Sequence, residues 1–192
     1  MKPEIASLLD QQRSEDNSIR EDAILKIAML LEKNFLLPDT SDPGTRETWR
    51  SILDESLLAL RLDGTDLSEI VGDFSRQLQA GSASPSLFWA LAKGGSLEAL
   101  PPILVWMQGH VELADEETIR QALFSVENLV LAALRGNRLD EARSILARHN
   151  ARPLLDRTST RNQHRLGVIA GRILAKASPT APQPHATDAG SG

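Results

Sequence analysis

Cysteine and tyrosine are absent from this chain of 192 residues, and only seven of its side chains, three Trp and four Phe, are aromatic. Without cysteine the chain has no disulfide framework, no thiolate nucleophile and no zinc site built from thiolates. Leu, Ala and Ile supply most of the apolar mass, and this composition favours helices over sheets. We therefore expect a helical core packed from aliphatic side chains.

Long apolar runs are absent as well. No stretch approaches the roughly 20 apolar residues that a membrane-spanning helix requires. The opening segment, MKPEIASLLDQQRSED, turns acidic where a secretory signal needs an apolar run. The sequence thus predicts a protein without a membrane partner, located in the cytoplasm.

The residue patterns of common enzyme and cofactor sites are also missing. No Ser lies in a Gly-flanked turn after a strand, and the glycines form neither a dinucleotide fingerprint nor a P-loop. The four histidines are too widely spaced for a two-histidine metal motif, and His110 with Glu112 is the nearest pairing of ligand types. We predict that the protein is not an enzyme and uses neither a cofactor nor a metal.

Helical periodicity, by contrast, recurs along most of the chain. Apolar residues are spaced by three, four and seven between Gly, Pro and Asn breakers, without alternation of period two. A capping box at Ser18 and Glu21 would start one of the helices. The pattern predicts helices over residues 19–36, 46–62, 66–80 and 86–93, another from 96, a long one to 135, and two more on either side of a junction at 151–160.

The fold class we predict is all-α, with one helical domain over residues 1–177. Residues 178–192, SPTAPQPHATDAGSG, contain three prolines and no residue larger than His to bury. Such a segment cannot offset the entropy of ordering, so we predict a disordered tail.

Charge is distributed unevenly along the chain. Residues 1–134 carry 11 basic and 22 acidic side chains, a net −11, whereas residues 135–176 carry 10 and 3, a net +7. With Asp188 these sum to the net −5 of the whole chain. The basic segment is suited to nucleic acid, to an acidic protein or to the acidic part of a second copy, and it is equally typical of solvated helix faces.

Parts of the second half resemble armadillo repeats. Gly95–Val105, GSLEALPPILV, is similar to the opening helices of such a repeat, in which a glycine and a small residue precede an apolar, often proline-containing segment. Ala122–Leu129, ALFSVENL, looks like the third-helix signature, with an Ala, an aromatic residue two positions later and an Asn four beyond that. Trp89–Lys93 resembles the end of the preceding third helix, and residues 142–177 resemble a further copy.

The resemblance covers residues 85–177 and implies a right-handed α-solenoid-like stack of helices. HEAT repeats fit nearly as well, and Gly136–Ala142 also looks like the turn into the second helix of a tetratricopeptide-like hairpin. Residues 1–80 lack the marks of the repeat and form a divergent set of helices. An irregular helical bundle is therefore the alternative architecture.

In armadillo repeats, the third helices line a groove where Asn side chains hydrogen-bond the backbone of an extended peptide. The resemblance implies that Asn128 is such a residue, with Phe124 beside it and Trp89 as the aromatic residue of the previous repeat. The alternative is a purely structural role, in which Trp89, Phe124 and Trp106 are core residues and Asn128 forms a hydrogen bond with a neighbouring turn.

Three cations depart from the armadillo pattern. Lys93 and Lys176 stand at Asn positions and Arg172 at an aromatic position. Because Lys and Arg donate hydrogen bonds but cannot accept them, these positions favour an acidic or phosphorylated ligand.

These observations predict a non-catalytic protein-binding or scaffold module that holds a protein or peptide, of acidic character, in its groove. The alternative is binding of nucleic acid or another polyanion through residues 135–176, by phosphate contacts, because that segment has no aromatic residue for base stacking. The charge asymmetry would also allow head-to-tail self-association.

Overall fold

The computed structural model describes residues 1–37, 42–162 and 164–177, and all regular structure in these residues is helical. The prediction of an all-α fold is confirmed for them. The predicted disordered tail, residues 178–192, lies outside the described residues. The α-helices are α1 (Pro3–Gln11), α2 (Asn17–Leu31), α3 (Pro43–Ile52), α4 (Glu55–Ala59), α5 (Gly64–Gln79), α6 (Pro85–Lys93), α7 (Leu100–His110), α8 (Glu116–Arg135), α9 (Leu139–Arg148), α10 (Ala151–Arg161) and α11 (Leu166–Ala177).

Aspartate side chains cap α2, α3, α4, α5 and α8, where they accept hydrogen bonds from exposed amides of the first turn. Asp16 accepts from the amides of Ser18 and Ile19 at 2.8 and 3.3 Å, so it takes the capping role that the sequence predicted for Ser18. At α8, Asp115 accepts hydrogen bonds from the hydroxyl and from the amide of Thr118. Both bonds stabilise the ionised carboxyl and so lower the pKa of Asp115, and the bond from the hydroxyl has the larger effect.

The predicted helix over residues 46–62 is divided into α3 and α4. Leu53 adopts an extended conformation, with φ −98° and ψ 131°, and ends α3. Asp54 then caps α4 by accepting from the amide of Leu57 at 2.9 Å. A capping aspartate inside an apolar stripe is thus a stronger indication of where a helix begins than the continuity of the stripe.

Two helices were not predicted from the sequence. Helix α10 occupies the predicted junction and follows Asn150, which has a left-handed conformation with φ 48°. Helix α1 begins with Pro3 in its first turn and buries an apolar face despite the acidic residues around it. Both helices owe their stability to burial rather than to intrinsic propensity.

The helices contact one another in two rows. In the first row, α2, α6, α8 and α11 lie side by side in that order; in the second row, the order is α1, α5, α7 and α10. Contacts between the rows join α1 to α2, α5 to α6, α7 to α8 and α10 to α11. Helix α3 packs against α2, and α9 packs against α8, α10 and α11.

A single cluster of buried apolar side chains, from Ile5 to Ile173, fills the space between the rows. The rings of Phe88 and Trp106 meet within it at 4.7 Å between centroids. The buried hydroxyl of Ser125 donates to the carbonyl of Phe88 at 2.7 Å and so joins α8 to α6. The first row is therefore fixed by apolar packing together with a buried polar contact.

Replacing Phe88 by Ala tests this core. The ring is wholly buried, so Phe88→Ala should lower the free energy of unfolding by about 3–5 kcal/mol through lost burial and the cavity that remains. Phe124→Ala, in which the same ring is lost from a half-buried position, is the matched control and should cost less than half as much. Urea unfolding followed by circular dichroism measures both, and equal losses would contradict the packing described.

Candidate functional site

The six residues singled out from the sequence lie on three adjacent helices of the first row. Trp89 and Lys93 belong to α6, Phe124 and Asn128 to α8, and Arg172 and Lys176 to α11; each side chain is at least partly exposed. Trp106, by contrast, is enclosed in the core, where it stacks on His110 at 4.8 Å. The exposed face of α6, α8 and α11 is hereafter called the row face.

Lys93 is held at the junction of α6 with α2. Its ammonium group binds the buried carboxylate of Glu32, which also accepts from the indole nitrogen of Trp49 at 3.2 Å. The same ammonium lies 5.1 Å from the centre of the Trp89 ring, a cation–π distance. Lys93 therefore neutralises a buried charge of its own chain, which limits what it can offer to a ligand.

Arg172 and Lys176 are engaged in the same way at the junction of α11 with α8. The Arg172 Nε and Nη2 atoms donate to the two oxygens of buried Glu127, both at 2.7 Å, and Lys176 Nζ lies 3.6 Å from Glu127 Oε1. The hydrogen bonds, followed by the attraction of the carboxylate charge, raise the pKa of Arg172. Arg172 keeps its Nη1 donors for another partner because the bidentate pair uses only Nε and Nη2.

Of the six residues, Asn128 has the fewest side-chain interactions with the rest of the chain. Its side chain is exposed in the middle of α8 and forms no hydrogen bond with any described residue. An amide in this state can both donate to and accept from the backbone of a bound chain. The Asn128 amide is therefore accessible to another molecule, and the role that the armadillo resemblance implies for it stays a prediction.

A groove of about 450 Å³ runs between α8 and α11 on the row face. Phe124 and Val168 contribute apolar surface, and Val168 is 53 % exposed. Arg120, His164 and Arg165 surround it together with Arg172, and the Arg120 guanidinium lies 5.5 Å from the centre of the Phe124 ring. The groove combines a small apolar area, hereafter called its floor, with a more extensive rim of polar groups that donate hydrogen bonds.

Sequence reasoning missed Arg120, His164, Arg165 and Val168. A signal was present, because Arg120, Phe124 and Asn128 are spaced by four and share one face of α8. Arg165, Val168 and Arg172 likewise share one face at spacings of three and four. The sequence does not reveal that α8 and α11 are neighbours, because 45 residues separate Glu127 from Arg172.

Carboxylates beside these guanidinium groups moderate the charge of the groove. Glu117 accepts from Arg120 Nε at 2.8 Å, and Glu116 lies 3.6 Å from Arg165. The Arg165 side chain is 73 % exposed, so it is the most accessible of the arginines on this rim. An acidic ligand group would reach Arg165 first.

Among the described residues, no cluster of three or more side chains suited to bind a metal ion is formed. In the same part of the chain, no helix has the length and apolar character needed to cross a membrane. Comparisons of the chain with protein-family models, with curated proteins and with solved structures found no match.

Arg172→Ala tests whether the Glu127 ion pair holds α11 against α8. Removing the guanidinium leaves a buried carboxylate with Lys176 as its remaining cation, so we expect Arg172→Ala to lower the free energy of unfolding, by an amount that the half-exposed position of Arg172 moderates. Arg165→Ala, which removes an exposed arginine beside the same helix, should change it by less than about 1 kcal/mol. Chemical unfolding measures the free energy of unfolding of both variants. Equal values would rule out that the Arg172–Glu127 ion pair holds α11 against α8.

Proposed function

We propose that this chain is a non-catalytic protein-binding module built as an armadillo- or HEAT-like solenoid. The order of contacts supports this architecture, because the pairs α1/α2, α5/α6, α7/α8 and α10/α11 each pack against the next pair through both rows. Stacked helix pairs of this kind expose extended surfaces to partners. In an irregular bundle, the contacts between helices do not repeat from one pair to the next.

The groove between α8 and α11 is the main observation that supports the proposed protein-binding function. A half-buried Phe124 and a 53 % exposed Val168 place a small apolar surface in this groove. Donors of Arg120, Arg165 and Arg172 surround that surface. This combination suits an extended peptide that places a large apolar side chain on the floor and an adjacent carboxylate at the rim.

Asn128 gives this peptide a means of orientation. It lies one helical turn after Phe124 on the same exposed face of α8. An Asn amide can donate to a peptide carbonyl and accept from the amide of the same residue, which fixes an extended backbone without reading its sequence. The apolar and acidic side chains of the peptide then provide the specificity.

Selection from a random peptide library displayed on phage tests the proposal without knowledge of the natural partner. We expect the selected peptides to pair an acidic residue with a large apolar one. For a labelled selected peptide, fluorescence anisotropy should show that Phe124→Ala weakens binding by about fivefold or more, through loss of the apolar contact. Arg165→Glu should weaken it by about tenfold or more, because it places repulsive charge at the rim.

Arg157→Glu is the matched control for the charge change. Arg157 is exposed on α10 and does not line the groove, so the affinity of this variant should remain within about twofold of the wild type. Failure to select any peptide with saturable binding, or equal losses from Arg157→Glu and Arg165→Glu, would reject the groove as the binding site.

Binding of a polyanion is the second candidate, and it is favoured by a specific observation. Four exposed arginines of the basic segment form no salt bridge with any described residue: Arg135, Arg148, Arg152 and Arg157. Without carboxylate partners, these guanidinium groups are available for phosphates.

The corresponding measurement is the affinity for a random DNA duplex at several salt concentrations. Phosphate contacts release counterions, so the logarithm of the association constant should fall linearly with the logarithm of salt concentration, with a slope of about −0.9 for each contact. A variant with Arg148, Arg152 and Arg157 replaced by Ala should bind more weakly and show a shallower slope, while peptide binding in the groove persists. Binding insensitive to salt would exclude this function.

A further inference from the structure

The groove between α8 and α11 contains more hydrogen-bond donors than the chain itself uses. The guanidinium groups of Arg120 and Arg172 each donate through Nε and Nη2 to a carboxylate of the chain and keep their Nη1 donors. The Arg165 side chain forms no hydrogen bond with a described residue, and neither does the ring of His164. All four side chains line the same cavity of about 450 Å³.

A ligand can reach these donors, because each of the four side chains is open to solvent. Arg165 is 73 % exposed, Arg172 46 % and Arg120 36 %, and His164 is exposed as well. The closest approach of Arg165 to Glu116 is 3.6 Å, which is longer than a hydrogen bond. Arg165 therefore loses no hydrogen bond when it turns towards a ligand.

Carboxylates of the chain keep the net charge around the groove low. Three arginines and one carboxylate, Glu117, line it, which gives a net charge of +2 when His164 is counted as neutral. Glu116 and Glu127 bind two of these arginines, and Lys176 shares the charge of Glu127, so the whole cluster has four cations and three carboxylates. Net charge alone therefore attracts an anion only weakly, and the spare hydrogen-bond donors must select it.

A phosphoryl group matches these donors better than a carboxylate does. A carboxylate has two oxygens, which one bidentate guanidinium occupies. A phosphate ester on a Ser or Thr side chain has three terminal oxygens and a charge of about −1.5 to −2 at pH 7. The third oxygen provides an acceptor for a second arginine, so phosphorylation uses donors that an Asp or Glu side chain would leave unpaired.

The surroundings of the donors favour a peptide over a nucleic acid as the carrier of the phosphoryl group. Val168 offers aliphatic contact, and Asn128 follows Phe124 by one helical turn, where it can meet a peptide backbone. The Arg120 guanidinium lies over the Phe124 ring, 5.5 Å from its centre. A half-buried ring that is covered in this way is poorly suited to stack on a base.

We propose that the groove between α8 and α11 binds a peptide in which a phosphorylated Ser or Thr lies next to a large apolar residue. This inference rests on the proposed function and identifies the modification of the partner that controls binding. The phosphoryl oxygens accept from Arg165 and from the Nη1 donors of Arg120 or Arg172. The neighbouring apolar side chain packs on Phe124 and Val168.

An array of defined peptides tests the preference for a phosphoryl group. Each peptide is made with a central phosphoserine, glutamate or serine, and large apolar residues are placed at varied positions beside it. For the best binder, fluorescence anisotropy should show that the phosphoserine form binds about tenfold or more tighter than the serine form, and about threefold or more tighter than the glutamate form. A phosphoserine form that binds no tighter than either of the other two overturns the inference.

The inference and the proposed function can fail separately. If unphosphorylated peptides selected on phage bind in the groove, but gain nothing when phosphoserine replaces their acidic residue, only the inference is rejected. If no peptide of either kind binds with saturation, both are rejected. Competition by inorganic phosphate or by a DNA duplex at the affinity of the phosphopeptide would also overturn the inference, because the apolar and backbone contacts would then contribute nothing.

Variants locate the phosphoryl group. Arg165→Gln and Arg120→Gln should each lower the ratio of the affinities of the phosphoserine and serine forms by about threefold or more, because each removes charged donors. Arg157→Gln, which changes an exposed arginine of α10 outside the groove, is the matched control and should leave the ratio within about twofold of wild type. Circular dichroism confirms that each variant is folded. A wild-type ratio in both Arg165→Gln and Arg120→Gln would overturn the assignment.

Discussion

Four carboxylates are buried among the described residues of this chain, and each needs a positive or hydrogen-bond-donating partner before its helices can pack. An ionised carboxylate loses several kcal/mol of hydration when it is buried, and only well-placed donors recover that loss. The partners come from neighbouring elements: Lys2 for Asp66, Gln12 and Arg13 for Asp73, Trp49 and Lys93 for Glu32, Arg172 and Lys176 for Glu127. Leu and Ala packing leaves the register of two helices loosely specified. We infer that the buried ion pairs select one register at each of these junctions.

This constraint changes how cations on the row face are interpreted. The armadillo resemblance predicted that Lys93, Arg172 and Lys176 bind a ligand, whereas in the structure each neutralises a buried carboxylate of its own chain. A ligand that drew such a cation away would remove a partner from a buried carboxylate, and the ligand's own contacts would have to offset that loss. Recognition of an acidic partner therefore falls to groups with spare donors, namely Arg165 at the rim and the Nη1 of Arg172.

The sequence was sufficient to predict the fold class and most helices, because stripes of apolar residues and the Gly, Pro and Asn breakers between them are local signals. Helix α8 ends at Arg135, as the sequence pattern predicted. The division at Asp54 and the existence of α10 were not predictable from the stripe alone, since α10 is stabilised by burying Leu154 and Leu155 rather than by its own helix propensity. The site was predictable only in part for the same reason. Phe124 and Asn128 carry a local motif, whereas the groove depends on which helices become neighbours.

The absence of repeat marks from residues 1–80 does not prevent those residues from joining the same two rows. Helices α1 and α2 pair as α7 and α8 do, and Asp66 and Asp73 join α5 to the ends of α1 by accepting from Lys2, Gln12 and Arg13. What must be repeated along such a stack is an apolar face at the right spacing, and this requirement tolerates wide variation in the residues that cover it. The polar residues that differ from pair to pair are then the ones that give each junction its own chemistry: Arg172 and Lys176 with Glu127 between α8 and α11, and Gln12 and Arg13 with Asp73 between α1 and α5.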